Sequence, residues 1–424
     1  MLKYKNKSKS LNYLIIAFFI SSFFLLSGCL MVNSLKGSVE GYVYEETVID
    51  NRPLEGALVS INGASNTSLT DSAGYFRIDE VSVGSRTLTV AKEGYMTYKL
   101  LNTVIIKDEI MPVNDGEPII MQAVDDKYLF DGGVIYYDSE DYLNALIVFE
   151  QLINDYPDSE YADNAQYYIA YIYEKQLGQY VKALLEYYNF LMDFPDSELA
   201  DDSQLGIGNC SYAMGQYYSA IEGYQKVINN YPESPINALA QYSLAQSYRK
   251  LLNYGQAIIE FSEVIVNYPD SEYVAAAQYY TGYSYYQDEE YNQAILEFQE
   301  TVDNYPQSNW PGESERLVAP CAQYYIGWCH GQKLGQWDEA VTAYQLVIDN
   351  YPASTWSSGQ EIPPDAQYQI GWAFEQLELW NEAVTAYQLV IDNYPESTWS
   401  TGGLISDDAQ ERIDWINDNH PSGE

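Results

Sequence analysis

"EAVTAYQLVIDNYPAS" (Glu339–Ser354) and "EAVTAYQLVIDNYPES" (Glu382–Ser397) differ at one position and lie 43 residues apart. The same grammar appears earlier in "YLNALIVFEQLINDYP", where Tyr142, Ala145, Leu146, Phe149, Leu152, Ile153 and Tyr156 fall at i, i+3, i+4, i+7 spacing. That period predicts an amphipathic helix. Pro157 ends it, because proline lacks an amide donor and clashes with the preceding turn. Pro195, Pro232, Pro269, Pro306, Pro352 and Pro395 repeat the device. An alanine stands twelve residues ahead of each proline (Ala145, Ala183, Ala220, Ala257, Ala294, Ala340, Ala383), and an aromatic follows each alanine by four.

Twelve residues before each alanine, or thirteen in the second and sixth units, comes Gly133, Ala170, Gly208, Ala245, Gly282, Gly327 or Gly371. We read this as seven helical hairpins in which small faces small, letting the two helices approach closely. "DDAQERIDWINDN" (Asp407–Asn419) matches the start of another unit and has no following partner, so it is expected to cap the array. This spacing resembles the tetratricopeptide repeat (TPR), a helical hairpin that stacks into a superhelical solenoid. The period of 37 and the Tyr-Pro-Asp/Glu-Ser ending resemble a subgroup that includes the TPR components of the outer-membrane β-barrel assembly machinery and the Tol-Pal system. The family often has Trp where this chain has Gln166, Gln204, Gln241, Gln278, Gln323 and Gln367.

Before the helical period, residues 37–123 have a strand rhythm: "GSVEGYVYEE", "PLEGALVSINGA", "SLTDSAGYFRIDEV" and "SRTLTVAKEGYMTYKL" alternate and are punctuated by Gly, Asp and Asn. This predicts an antiparallel sandwich, with a tight turn at Asp71–Gly74. The Thr70-Asp71, Gly74-Tyr75-Phe76 and Gly94-Tyr95 elements resemble the carboxypeptidase regulatory-like domain, a transthyretin-like sandwich. In metallocarboxypeptidases that domain accompanies a zinc-dependent catalytic domain, of which this sequence has no counterpart; in envelope proteins the resemblance implies a spacer or adhesive module.

The N-terminus reads as a targeting segment. Lys3, Lys5, Lys7 and Lys9 precede the apolar run "LIIAFFISSFFLL" (Leu14–Leu26), and Leu26-Ser27-Gly28-Cys29 follows. The tetrapeptide resembles a bacterial lipobox, which implies loss of residues 1–28 and diacylglycerol on the thiol of Cys29. The expected organisation is thus signal peptide 1–28, lipidated tether 29–36, sandwich 37–123, seven TPR units over 125–395, and a Trp-bearing loop with capping helix over 396–424. A formal charge of −41, from 61 Asp and Glu against 20 Lys and Arg, argues against nucleic acid as a partner, since that affinity depends on basic side chains. It equally disfavours a polybasic face on anionic lipid.

Little in the chain resembles catalysis. Only His330 and His420 are present, with no HExxH, paired CxxC, GxSxG or phosphate loop. Cys210, Cys321 and Cys329 read as small buried hydrophobes; the last two are separated by about 12 Å of helix rise and do not reach one another. Asp125/Asp126, Asp201/Asp202 and Asp407/Asp408 read as helix caps rather than a calcium site. No metal or cofactor is expected, and a small-molecule substrate is disfavoured.

The functional signal lies on the first helices. Family resemblance places groove-lining side chains one and five residues past the start of the Gln position: Tyr167 and Tyr171, Tyr242, Tyr279 and Tyr283, Tyr324 and Trp328, Tyr368 and Trp372. Such an aromatic ladder fits an extended peptide or a sugar face, or serves hairpin packing. The last three junctions are longer and carry Trp310, Trp356 and Trp399; these tryptophans either form an exposed row along one edge or fold back on their own loops. The expected function is a non-enzymatic, membrane-anchored scaffold for protein partners in envelope assembly or maintenance, placed in the outer membrane where the source has one. The rival expectation is a cell-surface glycan-binding or adhesion lipoprotein.

Overall fold

The computed structural model describes residues 35–46, 51–122 and 124–420. The signal-peptide reading and Cys29 lie outside them. Two compact units divide at Asp125/Asp126.

In the first unit, β1 (Lys36–Glu45) pairs antiparallel with β2 (Arg52–Pro53) and β5 (Tyr75–Ser82). The second sheet runs in the order β4 (Ser68–Leu69), β3 (Leu58–Ile61), β6 (Gly84–Ala91), β7 (Tyr98–Ile105). The pattern of alternation predicts which faces meet: Val39, Val43, Phe76 and Ile78 from one sheet share a core with Val59, Ile61, Leu88 and Val90 from the other. One departure from a purely antiparallel sandwich is that β8 (Ile110–Pro112) and β9 (Ile119–Met121) both lie parallel to β1. The turn at Asp71 is built as expected. Its carboxylate accepts from the amides of Ala73 and Tyr75, both at 2.9 Å, and Gly74 sits at φ +73° with a Cβ position only 2.3 Å from the Val43 carbonyl. Thr70 anchors the strand before it by accepting from the Ala57 amide at 2.8 Å.

The second unit is helical. Its helices are α1 (Asp126–Asp138), α2 (Tyr142–Asp155), α3 (Ala162–Tyr171), α4 (Tyr180–Asp193), α5 (Ala200–Ala213), α6 (Tyr217–Asn230), α7 (Asn237–Lys250) and α8 (Tyr254–Asn267). They continue as α9 (Val274–Gln287), α10 (Tyr291–Asn304), α11 (Ala319–Trp328), α12 (Trp337–Asn350), α13 (Ile362–Gln376), α14 (Trp380–Asn393) and α15 (Ile405–Asn419). Each even-numbered helix stops one residue before the Tyr-Pro or Phe-Pro pair, whose aromatic leaves helical geometry; Tyr156, for instance, lies at φ −135°, ψ 62°. A residue before proline is pushed toward extended backbone.

Three sequence features take on physical meaning. The extra residue in the second and sixth units is absorbed by a single π-helical turn, at Ile172–Gln176 and at Cys329–Lys333. The Gln that replaces the family's Trp is buried in each of the six units that carry it and donates across the hairpin, as Gln323 does to the Ala343 carbonyl at 3.1 Å and Gln367 to that of Ala386 at 3.2 Å. The serine after the proline reaches back to the acid at the start of its own hairpin: Ser159 to Asp126 (2.6 Å), Ser197 to Asp163 (2.7 Å), Ser234 to Asp201 (2.5 Å). These acids therefore clasp the hairpin in addition to lying in a helix's first turn.

One expectation is corrected. Where the small residue of the first helix is glycine, the atoms nearest its Cβ position belong to the aromatic of the second helix rather than to the alanine. A Cβ at Gly133 would lie 2.4 Å from the Phe149 ring and one at Gly371 2.6 Å from the Tyr387 ring. The glycine is the recess that a ring fills. Small meets small elsewhere, between Gly223 and the backbone of Gly208.

Candidate binding site

The first-position tyrosines turn inward. Tyr167, Tyr242, Tyr279, Tyr324 and Tyr368 pack on Tyr187, Phe261, Phe298, Tyr344 and Tyr387 of their own second helices, with ring centroids 6.1, 5.8, 5.5, 5.2 and 5.1 Å apart. Tyr279 and Tyr324 are buried. These side chains build the hairpins. Tyr171, Tyr283, Trp328 and Trp372, one turn further on, are only half-buried, and Arg249 and Arg412 lie over the Tyr283 and Trp372 rings.

The loop tryptophans do not form an exposed row. Each long junction closes through one isolated antiparallel bridge, Asn309 with Leu317, Thr355 with Glu361 and Thr398 with Leu404. The closure swings each indole edge-on to the first-position tyrosine of its own unit: Trp310 to Tyr279 at 5.1 Å, Trp356 to Tyr324 at 5.0 Å, Trp399 to Tyr368 at 5.1 Å. Trp310 is buried, and the other two are half-buried. The indoles of Trp356 and Trp399 donate to Asp365 (3.3 Å) and Asp408 (2.6 Å), each nine residues on and in the first turn of the next helix. At Trp310 the equivalent position is Cys321, preceding Ala322-Gln323 as Asp365 precedes Ala366-Gln367.

Folding two of these loops toward one another leaves a cavity of about 410 Å³, lined by Tyr286, Tyr324, Tyr325, Trp328, Trp356 and Trp399 together with Glu361, Asp365 and the hydroxyl-bearing Ser357, Ser358, Thr398 and Ser400. Trp328 lies nearly parallel to Tyr324 (centroids 6.4 Å, 20°) and donates to the Tyr286 hydroxyl at 3.2 Å. Glu361 is held by Ser397 at 2.9 Å. Burial pushes the Asp365 carboxyl up to about 6, and hydrogen bonds from Trp356 and Tyr324 pull it partly back. Burial and the Asp365 charge push the Tyr324 phenol far above its ordinary value.

Of the residues expected to bind a partner, the structure gathers Tyr324, Trp328, Trp356 and Trp399 around one cavity. Tyr167, Tyr171, Tyr242, Tyr279, Tyr283, Tyr368, Trp372 and Trp310 lie elsewhere along the array. Sequence reasoning missed Tyr286, Tyr325, Glu361 and Asp365. The nine-residue Trp-to-Asp interval, repeated at Trp356–Asp365 and Trp399–Asp408, was the available signal for the last.

Other reactive groups are occupied by packing. Cys210, Cys321 and Cys329 are free and buried, and burial pushes each thiol up to about 12. His330 hydrogen-bonds Gln336 at 2.7 Å, and His420 stacks on Trp380 at 3.7 Å. Among the described residues no group of three or more His, Cys, Asp or Glu is placed to hold a metal, and no helix is long and apolar enough to cross a membrane.

Comparison with known proteins agrees with this architecture. No curated protein sequence matches the chain. Among solved structures, the C-terminal part of a TPR repeat-containing protein from Cytophaga hutchinsonii is 15% identical, covers 66% of this chain and 98% of its own, and has a TM-score of 0.51. A TPR protein from Parabacteroides merdae is 13% identical over 68% of this chain and 97% of its own, at a TM-score of 0.42. The tetratricopeptide repeat model matches residues 128–159, 202–234, 239–271, 276–308, 322–354 and 365–397. The α3–α4 segment lies outside those matches and folds as the same hairpin. Residues 38–114 match the carboxypeptidase regulatory-like domain model. The chain therefore joins a carboxypeptidase regulatory-like domain to an array of tetratricopeptide repeats, a scaffold for protein interactions.

Proposed function

We propose that the chain is a non-enzymatic, lipid-anchored envelope protein that holds a protein partner in the cavity between its last TPR units and assists envelope assembly or maintenance. The observation that carries this reading is the cavity itself: half-buried indole and phenol rings beside two carboxylates, on elements held rigid by hairpin packing. Attachment at Cys29 rests on the lipobox-like Leu26-Ser27-Gly28-Cys29 and its basic, then apolar, flank. Cross-linking in native membranes followed by purification of the chain tests the partner. A discrete cross-linked protein with the wild type, lost with Trp328→Ala, is expected; a cross-linking pattern indifferent to that change overturns the reading.

A second reading has an observation of its own. Ser357, Ser358, Thr398 and Ser400 place hydroxyls beside the indoles, an arrangement that also suits a sugar ring. Retention on purified cell-wall glycan, abolished by Trp328→Ala, is the outcome this alternative requires.

A further inference from the structure

Building on the protein-partner reading, we propose that the cavity beside Trp328 and Trp356 is a receptor for one cationic side chain, a guanidinium or ammonium, in a basic segment of the partner. The argument comes from comparing the chain with itself. At the first long junction, Arg316 lies over the Trp310 ring at 4.8 Å and pairs with Glu313 at 2.5 Å. Trp, carboxylate and guanidinium together complete that junction. The second junction repeats the Trp against its Tyr and supplies two carboxylates, Asp365 and Glu361, but no cation: among the described residues no Lys or Arg lies over Trp328, Trp356 or Trp399, and none pairs with Asp365 or Glu361.

The two acids that are fully buried among the described residues show how the chain handles such a charge. Glu174 and Glu375 are the two buried acids, and each has a cation: Lys175 at 2.6 Å from Glu174, and Arg412 on Glu375. Each also accepts a tyrosine hydroxyl at 2.6 Å, from Tyr187 and Tyr387. Asp365 is half-buried, accepts from the neutral Trp356 indole and lines a cavity rather than packed protein. A cation entering there gains the rings' quadrupoles and the unpaired charge at once. An incoming arginine would do in trans what Arg316 does in cis.

The test uses the full chain and two peptides, acetyl-Gly-Arg-Gly-Arg-Gly-amide and its citrulline counterpart, which keeps the shape and removes the charge. Binding is read by tryptophan fluorescence and calorimetry. A chain of charge −41 attracts any basic peptide, so the variants decide. Asp365→Asn and Glu361→Gln each change the total charge by one, and each is expected to weaken the arginine peptide about tenfold, the size of a lost charge-assisted contact; the citrulline peptide should bind the wild type more weakly by a similar factor. Circular dichroism confirms that each variant is folded. Undiminished binding to Asp365→Asn, or equal binding of the two peptides, overturns the proposal. Chitotetraose binding lost with Trp328→Ala, with no preference for arginine over citrulline, assigns the cavity to a sugar instead. A cross-linked partner lost with Trp328→Ala but kept with Asp365→Asn leaves the protein-partner reading standing and removes this inference alone.

Discussion

Asp365 is the residue at which folding and binding pull apart. Burial raises its carboxyl from 3.8 to about 6, so the folded chain holds this proton more tightly than the unfolded chain does. Stability from this group is therefore greatest below its unfolded value and is lost as pH rises through 6, leaving above that a penalty of up to about 3 kcal/mol. Asparagine carries no charge to desolvate, and its amide oxygen still accepts from the Trp356 indole. Asp365→Asn is accordingly expected to raise the urea midpoint at pH 8 by an amount equivalent to about 1–3 kcal/mol and to converge with wild type near pH 4. A loss of stability at pH 8 would mean that the carboxylate is compensated in the empty protein. A carboxylate kept at such a cost beside an open cavity fits a site awaiting a positive ligand. Tyr344 and Tyr387 show how much a neighbour decides at this scale. They belong to the two nearly identical stretches, yet the Tyr387 hydroxyl donates to Glu375 at 2.6 Å while that of Tyr344, buried, has no partner. Four residues past the facing glycine, one first helix has Glu375 and the other Gly331.

At the scale of the helix, most of the hairpin was legible because period, stop signal and ring position are local properties of the chain. Ala340, Tyr344 and Pro352 announce a helix, its buried face and its end without reference to any other element. What sits across the seam is not local. The recess for the Tyr387 ring at Gly371 follows from how far the second helix leans, and the return of Trp356 onto Tyr324 follows from loop closure; neither has a period to read. The Gln at the family's Trp position was visible as a departure, while its hydrogen bond across the hairpin emerged only with the pair assembled. The α5–α6 hairpin brings backbone against backbone, since a Cβ on Gly223 would lie 2.8 Å from the Gly208 Cα and 2.9 Å from its amide nitrogen. Backbone cannot rotate away as a side chain can. Gly223→Ala should thus destabilise the hairpin by about 1–3 kcal/mol although alanine is the better helix former by about 1 kcal/mol. Urea denaturation with a far-ultraviolet readout checks this, and a stabilised variant would show that the two helices separate freely.

Across the whole helical unit each hairpin depends on its neighbours, so the array's stability is a sum of local terms and its ends are the vulnerable points. The last helix is more than a cover. Ile405, Ala409, Ile413 and Ile416 of α15 pack against Ala383, Tyr387 and Val390 of α14, and Arg412 reaches back one unit to Glu375, which is buried and also holds the Tyr387 hydroxyl. Arg412 further lies over the Trp372 ring at 5.3 Å. Removing residues 405–424 would strip the apolar cover and leave Glu375 a buried charge without its cation, a defect that costs about 3–5 kcal/mol where one partner of a buried pair is lost. The expected consequence is confined to the end of the array. In hydrogen exchange, amides of α13 and α14 should lose protection in the truncated chain, while α7 to α10, whose neighbours are unchanged, should keep theirs. The cavity borders Asp365 in α13 and Ile405 in α15, so truncation should also abolish the arginine-over-citrulline preference. Arg412→Gln isolates the ionic part by keeping the apolar cover and removing the charge. It should reduce protection in α13 and α14 less than truncation does, and equal losses would show that Glu375 and Arg412, rather than the isoleucines of α15, hold the end of the array closed.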